Sequence, residues 1–528
     1  MRTYVNPGNQ AFQKIAGPDY VDKTGLISLV NQRIGRDSSL VCISRPRRFG
    51  KSYAAKMLTA YYDCTCDSRE LFGDKSIAKA NDYEKYINKY NVICLDITGF
   101  ISEVKRKQES LRLVPNRIAD AIQGELGVFE IGESLNTSLI RFVYETGKQI
   151  VFIIDEWDAM IREAKDDVVV QEAYLNLLRG WFKNTNFTPK VVAAAYITGI
   201  LPIKKDGSQS AISDFREFSM IKPRQFGEYV GFTEEEVKKL CEEKDIDYDR
   251  MKRWYDGYAF PGIGSIYNPN SVMQAVEYDD FDSYWSESSA AEGLMDYISQ
   301  DYNGLTKTIA ELIGGVEVKV NTTGFANDLT TFKGKDDVLT LLIHLGYLAY
   351  DADRKTARIP NEEIKLEFQR SIHEVKHEAT IKRLQESEKL FADTITGNEE
   401  AVAAQIEKVH SEETVALHYN KEESLRSVIK LAYYSYRDHY IQFEELPAGE
   451  GYADVVYFPK HDSDWPALII ELKWNKDVQG AIEQILEKKY PCALENCARP
   501  ILLVGITYDK DAEAGKKTHK CKIVEYKF

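Results

Sequence analysis

The chain has 528 residues, 44% of them hydrophobic and 29% charged, and carries a formal charge of −15 at pH 7. That length exceeds what one hydrophobic core serves, so about two to four domains are expected. The acidic balance excludes a generally basic nucleic-acid coat, although a local positive channel remains compatible with it. No uninterrupted apolar run approaches ~20 residues, and the opening MRTYVNPGNQAF lacks the apolar centre of a signal peptide, so neither membrane spanning nor secretion is expected and the cytoplasm is the expected compartment. The eight cysteines are scattered; neither Cys64 and Cys66 nor Cys492 and Cys497 has a second pair at zinc-ribbon spacing, and reduced thiols are expected.

Taken in chain order, the first 230 residues alternate short apolar runs with longer amphipathic stretches. LVCISR (40–45), VICLDIT (92–98), QIVFIIDE (149–156) and VVAAAYITGI (191–200) are nearly continuous in apolar residues, which suits strands buried on both faces of a parallel sheet. Segments such as 168–184 are long enough to be crossover helices, so the fold class is α/β. At 231–243 GFTEEEVKKLCEE predicts a helix capped by Thr233, with Glu236 completing a capping box. The turn-rich RWYDGYAFPGIGSIYNPNSVMQAV leads into a further helix, and 336–360 reads as helix, strand, polar turn and strand, the order of a small winged-helix-like module. Residues 361–440 are polar and helical; beyond 441 the β-rich pattern returns.

The first chemical motif is ISRPRRFGKSYAAKML (43–58), an apolar strand end, a loop and a helix-forming run. It ends like the phosphate-binding loop G-x-x-x-x-G-K-S/T, but Arg45 stands where that loop opens with glycine, and Pro46 supplies no N–H to a phosphate cradle. Gly50 permits close backbone approach, Lys51 reaches for outer phosphates, and Ser52 offers a hydroxyl to Mg²⁺. Arg47 and Arg48 add positive charge beside Phe49. A basic turn before a helix is the plain alternative.

IVFIIDEWD then sets Asp155 and Glu156 at an apolar strand end, the edge where open α/β sheets bind ligands. An aspartate there suits Mg²⁺, and a glutamate beside it suits polarising an attacking water. Together the two motifs predict ATP binding. Thr198, closing the strand VVAAAYITG, is a candidate sensor of the terminal phosphate or, equally, a satisfied strand-end hydroxyl. Arg216 and Arg224 are weaker candidates for phosphate contacts, since solvated arginines are common in such segments.

At 451–490 GYADVVYF and ALIIELKW form two β runs joined by a turn-rich link, as in a hairpin. Alternation puts Glu471 and Lys473 on one face of the second run, where Asp454 meets them from the first. Carboxylates beside a lysine inside apolar strands are costly unless they bind metal or pair with each other. Asp454 and Glu471 are the expected Mg²⁺ ligands, with Lys473 orienting the attacking water and steadying charge on phosphate. HEVKH (373–377) satisfies H-E-x-x-H, yet no third ligand pattern follows, and a solvated helix explains it better than zinc chemistry.

YVDKTGLI (20–27), ISRPRRFGKS, FIIDEWD, ITGILPIKKDGSQSAISDFREFSM and RWYDGYAF with IYNPNSVM together resemble the AAA-ATPase-like family of bacterial and archaeal proteins. The resemblance implies that arginine in place of the opening glycine is a family feature, that Asp158 is the last acid of a D-E-aromatic-D ending, and that a PD-(D/E)XK nuclease-superfamily domain follows. It places Glu423 as that domain's upstream acid, and Gln484 and Tyr490 as its supporting glutamine and tyrosine. Tyr20, Asp22 and Lys23 match the family's YVDKT without a role attached.

The expected architecture is an AAA-ATPase-like P-loop domain at 1–230, a helical lid region at 231–300, a winged-helix-like module at 301–370, a helical connector at 371–420 and a restriction-endonuclease-like domain at 421–528. The expected partners are ATP, Mg²⁺ and nucleic acid, with DNA preferred; a homo-oligomer is compatible with the sequence, and no membrane partner is expected. The expected activities are ATP hydrolysis and Mg²⁺-dependent phosphodiester cleavage, the ATP state regulating the cut. The alternative is a STAND-like regulatory switch whose C-terminal domain only binds nucleic acid or a protein partner.

Overall fold

In the computed structural model the described residues are 2–127, 133–203, 205–206, 209–210, 212–285, 305–313, 315–326, 332–374, 378–413, 429, 433, 440–448, 451–459, 465–474, 477–491, 500–509 and 518–526. The chain divides into two compact units, Met1–Thr306 with Val318–Glu367, and Lys307–Glu317 with Phe368–Phe528.

In the first unit, β1 (Leu40–Ser44), β2 (Asn91–Asp96), β3 (Ile150–Asp155) and β4 (Val192–Gly199) are the four apolar runs of the sequence. A small hairpin follows, β5 (Lys205–Asp206) with β6 (Gln209–Ser210), and then β7 (Arg216–Phe218). The main sheet has the order β2-β3-β4-β1-β7, and all of its pairs are parallel. Each of β1, β3 and β4 is buried nearly throughout, as strands covered by helices on both faces must be. One such helix, Val168–Phe182, starts where the Asp167 carboxylate accepts the Val170 N–H and buries Val170, Tyr174, Leu175, Leu178 and Trp181 at helical spacing. Because β4 lies between β1 and β3, the carboxyl ends of all three converge at one edge, which positions the first site.

Beyond the sheet, the helix Glu234–Lys244 opens with the predicted capping box, in which Thr233 and Glu236 satisfy each other's backbone N–H groups. A three-stranded sheet, β8 (Phe232–Thr233), β10 (Gly264–Tyr267) and β9 (Tyr258–Phe260), resolves the turn-rich aromatic segment into a hairpin that its glycines had masked in the sequence. The helix Lys335–Leu345 is followed by the hairpin β12 (Ala349–Asp351) and β13 (Thr356–Arg358), paired with β11 (Val318–Lys319). Helix, strand, turn and strand thus fall in the order that the sequence indicates for 336–360.

The second unit carries the helices Glu378–Ile395 and Glu399–Glu413 and a mixed sheet in sequential order. Its strands are β14 (Tyr440–Ala448), β15 (Gly451–Pro459), β16 (Ala467–Trp474), β17 (Ile501–Tyr508) and β18 (His519–Tyr526). β16 and β17 run parallel and are joined across the helix Val478–Glu487, whereas the other neighbours are antiparallel. Val455, Tyr457, Leu468, Ile470 and Leu472 pack on one face with Leu390, Phe391 and Ile406. Val456 and Ile469 pack on the other with Ile482, Ile485 and Tyr490. By alternation, Asp454, Glu471 and Lys473 belong to this second face. The six described cysteines carry free thiols, and no helix among the described residues is long and apolar enough to cross a membrane.

Candidate active sites

The first site begins at the end of β1. Gly50 has φ +90°, a left-handed conformation that L side chains rarely adopt, and it starts the helix Lys51–Tyr62. Lys51 is buried; its Nζ donates to the carbonyls of Arg45 at 3.1 Å and Pro46 at 2.9 Å and lies 3.6 Å from Glu156 Oε1. Across the sheet edge, Asp155 accepts hydrogen bonds from the hydroxyls of Ser52 and Thr198. Burial nevertheless holds the Asp155 carboxyl above its ordinary range. Lys51, Ser52, Asp155, Glu156 and Thr198 therefore share one cluster drawn from three strand ends.

Glu156 has a left-handed backbone, φ 52°, which costs a non-glycine residue about 1–2 kcal/mol. Burial pushes its carboxyl up, but Lys51, Arg162 and Arg47 outweigh that and hold it below the usual carboxylate range. Asp158, fully buried, does not face this cluster as a further acid. Its Oδ2 accepts the N–H groups of Ile200 at 3.1 Å and Leu201 at 2.9 Å, so it ties the segment after β3 to the exit of β4.

The unusual start of the loop has a structural explanation. Arg45 is turned into the protein, where it donates to the carbonyls of Ser44 at 2.9 Å and Phe218 at 3.2 Å and stacks over Phe260, 5.0 Å from the ring centroid. Full burial lowers its pKa to about 10, so the guanidinium stays charged at neutral pH. Pro46 packs on the left-handed Gly346, where a Cβ would stand 2.7 Å from Pro46 Cγ. Phe49 is buried edge-on against Tyr258 at 5.6 Å, and Arg48 donates to the Tyr284 carbonyl at 3.1 Å. Arg45, Pro46 and Phe49 thus anchor the loop from behind. Arg216 and Arg224 are exposed on β7 and beyond it.

The YVDKT segment is equally structural in its contacts. Asp22 accepts from the Thr24 N–H and hydroxyl and from the Ser76 N–H, while Lys23 bonds the Glu228 carbonyl at 2.7 Å and Glu236 at 2.5 Å.

The second site lies on β15, β16 and the helix between β16 and β17. The register Val455↔Ile470, continued by one residue, sets Asp454 opposite Glu471. Asp454 Oδ2 accepts the Leu472 N–H at 2.8 Å. Glu471 is 2% exposed; its Oε1 accepts from Lys473 Nζ at 3.0 Å and from the Gln484 amide, and Lys473 also donates to Gln484 Oε1. Gln484 reaches on to the Tyr490 hydroxyl at 3.4 Å. Burial and the Asp454 carboxylate push the Glu471 carboxyl up to about 7 against the pull of Lys473. Glu471 Oε2 is buried with no hydrogen-bond partner, an orphan acceptor beside a second carboxylate. That donor set, oxygen-only and acidic, fits a hard divalent cation such as Mg²⁺. Glu423 lies outside the described residues, as do Val375, Lys376 and His377 of the HEVKH motif.

Arg162 escaped the sequence reading. Its signal was its spacing, four residues after Asp158 and so one helical turn away.

A parallel sheet whose first strand feeds a glycine–lysine–serine turn, with an aspartate–glutamate pair two strands away, defines a P-loop nucleotide site; a mixed sheet bearing D…E-x-K defines a nuclease-type fold. The comparisons with known proteins agree. Residues 7–208 match the family model described as "Predicted AAA-ATPase", and residues 420–517 match the PD-(D/E)XK nuclease superfamily. The chain carries an AAA-ATPase-like domain followed by a PD-(D/E)XK nuclease-superfamily domain. A curated relative, "Uncharacterized protein in vnfD 5'region" of Azotobacter chroococcum mcd 1, is 23% identical over 300 residues, 56% of this chain. The match spans about half of that relative, 55% of its length. Among solved structures, a Walker-type ATPase of Pyrococcus abyssi is similar at TM-score 0.34 and 12% identity, covering 67% of this chain and 97% of its own. The Aeropyrum pernix ORC2 protein is similar at TM-score 0.32 and 13% identity, covering 69% and 98%.

Proposed function

We propose that the first domain binds and hydrolyses ATP, and that its nucleotide state regulates Mg²⁺-dependent cleavage of nucleic acid, DNA by preference, by the second. The observation that carries this reading is that one chain holds two clusters in which lysine and carboxylates converge, at strand ends in the first sheet and on one face of the second, each suited to phosphate esters. In the first, Lys51 and the turn at Gly50 take the phosphates, aided by the charge of Arg47 and Arg48. Ser52 and Asp155 would hold Mg²⁺, Glu156 polarises the attacking water, and Thr198 responds to the terminal phosphate through its bond to Asp155.

In the second, Asp454 and Glu471 would hold Mg²⁺, with Glu423 as the proposed upstream acid. A bound divalent ion supplies Lewis-acid polarisation of the phosphoryl group. Lys473 steadies negative charge on the phosphate and orients the water, and Gln484 fixes both Lys473 and Glu471. We further propose that 231–300 acts as a helical lid, 301–370 as a winged-helix-like module and 371–420 as the connector between the two activities, in a cytoplasmic chain that forms a homo-oligomer.

The test is incubation of the purified protein with Mg²⁺ against duplex DNA, single strands and RNA, beside the Lys473→Ala variant. Product from wild type alone supports the reading. Retention of nucleic acid with no product from either protein replaces it by a binding switch.

A further inference from the structure

The Glu156 carboxylate is divided between two cations. Its Oε2 accepts from Arg162 Nη2 at 2.5 Å, whereas its Oε1 stands 3.6 Å from Lys51 Nζ, beyond a direct hydrogen bond. Lys51 gives its bonds to the Arg45 and Pro46 carbonyls instead. Arg162 is itself fixed, because its Nε donates to Asp158 Oδ2 at 3.1 Å, and the same oxygen accepts the Ile200 and Leu201 N–H groups. The brace is therefore anchored on the exit of β4, and both ends of it are shielded from water: Arg162 is 12% exposed and Asp158 1%.

We propose that Arg162 is a positioning residue that holds Glu156 off Lys51, leaving Lys51 available to the phosphates of an incoming nucleoside triphosphate. A buried carboxylate seeks the nearest cation, and the attraction is strong where water is excluded. Without Arg162, Glu156 turns to Lys51 and makes a direct pair that a phosphate must break. With Arg162, one oxygen is held, and Glu156 meets Lys51 only as a loose 3.6 Å ion pair while the lysine bonds the Arg45 and Pro46 carbonyls. The inference rests on the nucleotide-binding reading of this site and adds to it a residue that the P-loop pattern does not contain.

The experiment is equilibrium binding of ATP with Mg²⁺ to the full chain, for wild type, Arg162→Ala, Glu156→Gln and the double variant. Arg162→Ala is expected to weaken binding about tenfold, a coupling typical of close charge pairs. Glu156→Gln binds at least as tightly as wild type, and in the double variant the loss from Arg162→Ala disappears. Arg162→Lys, which keeps the charge, restores most of the affinity; Arg162→Gln, which keeps most of the volume, serves in place of alanine should that variant not fold. Unchanged affinity in the Arg162 variants overturns the inference, as does an equal loss with Gln at 156, which would assign Arg162 to fold alone. A wild type that binds no ATP removes the nucleotide reading itself and this inference with it, whereas wild-type binding with indifferent Arg162 variants removes only the inference.

Discussion

Asp158 accepts the Leu201 N–H at 2.9 Å through the oxygen that also receives the Ile200 N–H and Arg162 Nε. One carboxylate therefore locks the turn after β3 to the exit of β4, and with it the spacing between Glu156 and Thr198. Asp158→Ala strands two buried N–H groups and an arginine, so the first unit loses about 3–5 kcal/mol of stability. Thermal unfolding followed by circular dichroism checks this; a melting temperature equal to that of wild type would show that the tie carries no weight.

Thr198 donates its hydroxyl to Asp155, whose carboxyl burial already holds high. Thr198→Val preserves shape and removes the donor. ATP hydrolysis should fall on the order of tenfold while ATP binding changes little, because the lost bond is worth about 1–2 kcal/mol. A steady-state assay beside a binding isotherm separates the two. Equal loss in both would make Thr198 a packing residue.

Burial and the Asp454 carboxylate push the Glu471 carboxyl up to about 7, and the sign of the effect follows from that. Below this pH the carboxyl is protonated, and a divalent cation must displace the proton. Mg²⁺ affinity at the second site should therefore fall about tenfold for each pH unit below roughly 7. In metal-free protein the same raised pKa means that stability present below the ordinary carboxyl range is lost as pH rises through about 7. Metal titrations from pH 5.5 to 8.5 on wild type and Glu471→Gln test this, and a flat wild-type profile would contradict it.

Gln484 holds both Lys473 and Glu471 through its amide. Gln484→Leu keeps the side-chain volume of the helix Val478–Glu487 but leaves Lys473 held by Glu471 alone, so cleavage should drop at least tenfold with melting behaviour preserved. Gel-based cleavage rates and a thermal melt decide; full activity in the variant would make the amide a bystander.

Much of this was legible in the sequence. Continuous apolar runs located β1 to β4 within a residue or two, because strands buried on both faces are apolar along nearly their whole length. Thr233 and Glu236 announced a helix start through a purely local exchange of hydrogen bonds. D…E-x-K was legible by alternation, since Asp454 and Glu471 meet only if two strands pair in one register. Less was visible where a side chain's partner is distant in the chain. Arg45 read as a departure from the glycine that opens the loop, and nothing local showed its contacts with Ser44, Phe218 and Phe260, of which Phe218 and Phe260 come from segments more than a hundred residues away. Arg162 carried no motif at all, and only the fold sets it against Glu156.

In the proposed coupling, nucleotide state at Lys51 governs chemistry at Lys473. The direct measurement is the rate of DNA cleavage with Mg²⁺, in the presence and absence of ATP, for wild type, Lys51→Ala and Lys473→Ala. Wild type is expected to cut at an ATP-dependent rate, Lys51→Ala to show no response to ATP, and Lys473→Ala to give no product. Cleavage by Lys51→Ala that keeps the wild-type response to ATP, or by Lys473→Ala at the wild-type rate, would contradict it.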